Sequence, residues 1–132
     1  MSLEVTVVQD ERHGVVMRLA GRLDTTNAQT MDQHVDDALA MLGDEGVLIF
    51  DMATLDYISS AGLRSIFRAR KLAGSAGSQA LLVNLQPQIR KVFDIVKAVP
   101  LSEVFASEQE LEHYLDTMQR RVLDGSHDDD SG

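Results

Sequence analysis

Cysteine is absent from this 132-residue chain, which excludes disulfides, thiolate metal sites and a cysteine nucleophile. Tryptophan is absent too, and aromatic residues make up only 5% of the chain, so the core must rest on Val, Ile, Leu, Met and Ala. No apolar run approaches the ~20 residues that span a bilayer. Nor does a basic leader followed by an apolar stretch open the chain. These absences lead us to expect a cytoplasmic protein with no membrane span. Basic residues are the minority, 12 against 21 acidic ones, for a net charge of −9. Nucleic acid is a poor partner for such a surface, because neutralising phosphates takes Lys and Arg.

What the chain does have is enough hydrophobic sequence, 44% of residues, for a single sizeable core. One domain over residues 1–123 is expected. Residues 124–132 hold four of the acids and no Lys or Arg, and read as an acidic disordered tail.

Two hydrophobic periods alternate along the domain. Leu3–Val8 and Val15–Ala20 read as strands joined by a hairpin near His13-Gly14. A helix follows with Ala28, Met31, Val35, Leu39 and Leu42 on one face, Thr25 or Thr26 as its cap and Gly43 at its end. Val47–Phe50 is a buried strand, and a second helix runs roughly from Ala61 to Ala73. After a turn at Gly74 to Gly77 comes a strand at Ala80–Val83, then a helix opened by Pro87 with Ile89, Val92, Phe93 and Val96 inward. Pro100 stops that run, and Leu101–Phe105 reads as a link or edge strand. A last helix starts at Ser107, with Glu110 completing a capping box and Leu111, Leu115, Met118 and Val122 as its stripe. The expected fold class is α/β: a mixed sheet with an antiparallel amino-terminal hairpin and parallel later strands, flanked by about four helices.

The most informative stretch is Asp51 to Arg64, DMATLDYISSAGLR. Ser59 and Ser60 sit where a strand hands over to a helix, whose first turn offers free N–H groups and a positive dipole end. A serine there is either an N-cap or a site where a phosphate can be added and tolerated. Enzyme readings find little support. There is no Gly-x-Ser-x-Gly elbow and no Gly-rich phosphate cradle. His13, His34, His113 and His127 are scattered without metal spacing, and no cofactor is expected.

Three segments, Gly21-Arg22-Leu23-Asp24, Leu55 to Leu63, and Pro87 to Asp94, together resemble the STAS domain. More narrowly, they are similar to stand-alone bacterial anti-sigma factor antagonists. That resemblance implies a protein-binding regulator whose partner is an anti-sigma factor with serine kinase activity, with a phosphatase resetting the switch. It places Ser60 on the phospho-acceptor position, Gly62 on the family's glycine and Leu63 on its leucine. Ser59 stands where the family usually has aspartate, which makes it a rival acceptor, and Ala61 replaces a second hydroxyl residue. Asp24 matches an acidic position beside the acceptor, and Asp56 is expected nearby. Arg64, Arg68 and Lys71 line one side of the second helix, as a solvated face or as a contact for the partner kinase. Two alternatives stay open: a STAS module in a different assembly, stressosome-like or lipid-transport, whose serine need not be phosphorylated, and a small-ligand or nucleotide sensor using the same loop. The regulatory reading requires the Ser60 hydroxyl to be exposed.

Overall fold

The computed structural model describes residues 2–10, 14–43, 46–98 and 104–125. In chain order the elements are β1 (Leu3–Asp10), β2 (Gly14–Leu23), α1 (Ala28–Leu42), β3 (Val47–Ile58), α2 (Ser60–Ser75), β4 (Gln79–Val83), α3 (Pro87–Ala98) and α4 (Glu108–Leu123). The sheet order is β1-β2-β3-β4, with β1 antiparallel to β2 and the two later pairs parallel. The expected mixed sheet and hairpin are therefore both present. Gly14 opens β2 with φ +97, and a Cβ there would stand 2.1 Å from the Val47 carbonyl oxygen, so only glycine fits.

Period-2 alternation decides which sheet face is covered. Val15, Met17 and Leu19 of β2 and Leu48, Phe50 and Met52 of β3 are fully buried, with Val5 and Val7 of β1 packed at their edge. The intervening residues Val16, Arg18, Ile49 and Asp51 stay partly exposed. Helices close the buried face through Met31, Val35 and Ala38 of α1, Leu63, Ile66 and Ala69 of α2, Ile89, Val92 and Phe93 of α3, and Leu115, Met118 and Val122 of α4. Phe67 and Phe93 meet edge to face at 6.1 Å, joining α2 to α3.

The sequence reading ends β3 at Phe50, whereas the strand runs on to Ile58. The register against β2 shifts between Arg18 and Ala20 and again between Gly21 and Arg22. Each shift inserts a residue into β3, so its inward positions pass from Met52 to Leu55 to Ile58, and the alternation is lost from the sequence. The expected Thr25 or Thr26 cap of α1 is corrected as well. Asn27 holds the cap position but makes no cap bond. Its side chain instead accepts from the Asp24 N–H at 2.9 Å and donates to the Arg22 carbonyl. Ser107 does cap α4, accepting from the Glu110 N–H at 3.2 Å, while Glu110 reaches back to Ala106 N–H. Of the proposed link at Leu101–Phe105, only Val104 and Phe105 are described, neither in a strand; His13, Pro100 and the tail beyond Gly125 lie outside the described residues.

Candidate functional site

The carboxyl ends of β2 and β3 meet where the Leu23 carbonyl accepts the Ser59 N–H at 2.9 Å. Ser59 has extended backbone, φ −93 and ψ 177, and its hydroxyl accepts the Gly62 N–H at 3.1 Å. It is thus the N-cap of α2, satisfying one of the helix's orphan donors. Ser60 is the first helical residue.

The surroundings of Ser60 differ from the expectation of an exposed hydroxyl. Ser60 is only 3% exposed and Ser59 only 2%. The lid is Glu112 of α4. Its carboxylate accepts the Ser60 hydroxyl at 2.5 Å and shares the Ser60 N–H between its two oxygens at 3.2 Å each. The setting that suits an anion is therefore real, but a carboxylate of the same chain fills it. The position of α4 explains this. Gln119, 1% exposed, accepts from the Ile58 N–H and donates to the Ile58 carbonyl, pinning the helix to the last residue of β3. About two helical turns earlier, on the same face, Glu112 then falls over Ser60. Arg64 pairs with Glu108 across the same α2–α4 contact.

The other candidate residues separate into groups. The carboxylate contacts of Asp24 lie within its own turn. Its carboxylate accepts from the Thr26 amide at 3.0 Å and hydroxyl at 2.6 Å, and pairs with Arg22 at 3.6 Å. Partial burial pushes the Asp24 carboxyl up, but the Thr26 bonds and Arg22 outweigh it and hold it below its ordinary 3.8. Asp56 is exposed and turns toward α3, its carboxylate and carbonyl accepting from Gln86 and Gln88. Gly62 and Leu63 are buried, so packing accounts for both. Arg68 reaches α1, 2.7 Å from Asp36 and 3.6 Å from Asp32. Lys71 is exposed. Exposed ion pairs such as these contribute about 0–1 kcal/mol each.

Three residues of this site escaped the sequence reading. Tyr57 lies under the Arg22 guanidinium, 4.0 Å from ring centroid to Cζ. Burial first, then the nearby Glu112 and Asp116 carboxylates, push its phenol above its ordinary 10.0, keeping it protonated. Glu112 carries no sequence signal. Gln119 does, since it sits four residues after Leu115 and three before Val122, a polar residue within the apolar stripe. Among the described residues, no cluster of His, Asp or Glu is arranged to hold a metal, and no helix is long and apolar enough to cross a membrane.

Residues 4–111 match the family model described as the STAS domain, well over half of the chain. The chain belongs to the STAS domain family. Within it, this STAS chain is 34% identical over 79 residues to BtrV of Bordetella bronchiseptica, described as a candidate anti-sigma factor antagonist. That match spans 58% of this chain and 65% of BtrV, a little under two thirds of its length. The fold is similar to the anti-sigma factor antagonist SpoIIAA in its unphosphorylated form, with TM-score 0.54 and 26% identity over 70% of this chain and 83% of that one. SpoIIAA of Bacillus in its phosphorylated form gives 0.55 and 25% over the same shares. An anti-sigma factor antagonist from Mycobacterium paratuberculosis shares the fold at TM-score 0.57 and 20% identity, over 80% of this chain and 84% of that one.

Proposed function

We propose that this STAS domain is an anti-sigma factor antagonist, a cytoplasmic binding protein rather than an enzyme. In this reading it docks on an anti-sigma factor with serine kinase activity while Ser60 is unmodified. Ser60 is covered by Glu112 in this structure, so its phosphorylation requires that cover to move; phosphorylation then releases the partner, and a phosphatase restores binding. The observation that carries the reading is a serine pair at the amino end of α2, in a fold similar to one solved in both phosphorylated and unphosphorylated forms. A phosphate adds about −1.5 to −2 charges and three acceptor oxygens. At ~4 Å from a like charge on a partner, and an effective dielectric of ~20, each such contact costs about 4 kcal/mol. Since about 1.4 kcal/mol is tenfold in affinity, one clash abolishes a micromolar complex without refolding the domain.

The test is a binding titration by calorimetry against the ATP-binding anti-sigma factor of the same organism. Ser60→Ala should bind as the wild type does, and Ser60→Asp at least about tenfold more weakly. Equal binding by both variants removes the switch. A second reading is supported by the burial of Ser59 and Ser60: a STAS module whose serine is never modified, serving as scaffold in a larger assembly. Mass spectrometry decides between them, since under the first reading Ser60 gains a phosphoryl group when kinase and ATP are supplied.

A further inference from the structure

We propose that α4 is a latch closed over Ser60, with Glu112 occupying the anion seat at the amino end of α2, so that Ser60 meets a kinase only when the first half of α4 lifts. The inference rests on Ser60 being the acceptor, and it concerns the regulation of that site. One carboxylate engages both donors of Ser60, its hydroxyl and its backbone N–H. The hydroxyl is thereby tied down and covered at once. Glu112 lies one residue beyond the stretch matched by the family model.

The grip of α4 is uneven along its length. Its second half is anchored by the buried Leu115, Met118 and Val122 and by both Gln119 bonds to Ile58. Its first half is held by polar contacts, Arg64 with Glu108 and Ser60 with Glu112, and by the half-buried Leu111 and Tyr114. Segments with few buried apolar contacts open at lower cost than the elements they adjoin. The hinge therefore falls near Leu115. With the first half lifted, the Ser60 oxygen can attack the γ-phosphorus of ATP held by a serine kinase. The bond to ADP breaks, ADP leaves, and the hydroxyl proton passes to a base of the kinase. The resulting dianion cannot share its seat with the Glu112 carboxylate, a like charge on the same two donors. Modification thus holds the latch open, and the unmodified serine lets it close.

The absence of cysteine supplies the experiment. Ser60→Cys introduces a single thiol, whose labelling by N-ethylmaleimide reads access to this position without any kinase. Rates are compared at the alkaline plateau of the pH profile, so that a change in thiolate fraction drops out. Adding Glu112→Ala should accelerate labelling about tenfold or more. Hydrogen exchange on Glu112→Ala with Ser60 intact should show faster exchange over Ser60–Leu63 and Glu108–Tyr114, with Leu115–Val122 and the sheet unchanged. Equal labelling rates, or exchange that rises uniformly through the domain, overturn the latch. If labelling accelerates but the serine-kinase anti-sigma factor still transfers no phosphoryl group to Ser60 of the Glu112→Ala protein, the latch stands and the phosphorylation reading falls.

Discussion

Gly62 occupies a point where even a methyl group has no room. A Cβ there would stand 2.7 Å from Leu23 Cγ, 2.9 Å from Ile58 Cγ1 and 2.9 Å from the Leu23 carbonyl oxygen. Two of those neighbours are core side chains and the third is backbone, so none can yield freely. Gly62→Ala should therefore cost about 1–3 kcal/mol by overpacking, read as a lower urea midpoint, although alanine is the better helix former. Asp24 makes a prediction that depends on pH. Its folded-state pKa is depressed, so its contribution to stability is present above the ordinary carboxylate value of 3.8 and is lost as pH falls through the lower folded value. Asp24→Asn should lower the urea midpoint at pH 7, and the gap to the wild type should close progressively in acid. The serine pair was legible from its place between strand and helix. Its covering carboxylate was not, because Glu112 lies 52 residues away along the chain and nothing local aims it at Ser60.

Among the elements, α4 shows how a legible helix can hide its role. The capping residue Ser107 and the stripe of Leu115, Met118 and Val122 locate it in the sequence. What fixes its position over the site is the pair of bonds between Gln119 and the backbone of Ile58. Gln119→Leu keeps the volume and leaves the buried Ile58 N–H and carbonyl without that partner. A loss of about 1–3 kcal/mol in chemical denaturation should result. The amino end of α1 was misread because the Asp24 carboxylate draws Thr26 into an Asx turn, leaving Asn27 at the cap position. The elements with unbroken periods, α3 above all, follow their apolar spacing closely: Ile89, Val92 and Phe93 are buried as their intervals require.

At the scale of the whole molecule, the buried core lies, among the described residues, between Val15 and Val122. Residues 126–132 hold three Asp and no apolar residue larger than glycine, so they are expected to add charge rather than stability. Removing them takes away Asp128, Asp129 and Asp130, changing the net charge from −9 to −6. The urea midpoint should then stay within the equivalent of about 0.5 kcal/mol, the usual range for surface changes. A larger loss would place part of that segment against the domain.

The two residues that slip β3 against β2 have a consequence for the chain as a whole. They set the interval from Phe50 to Ser60, and with it the side on which each downstream residue emerges. Shortening that interval by one flips everything after the cut: Ile58 turns toward water and the serines arrive early, pointing away from Glu112. The stretch works as a ruler whose markings are irregular by necessity. Single-residue deletions within it should be less tolerated than any substitution at the same positions.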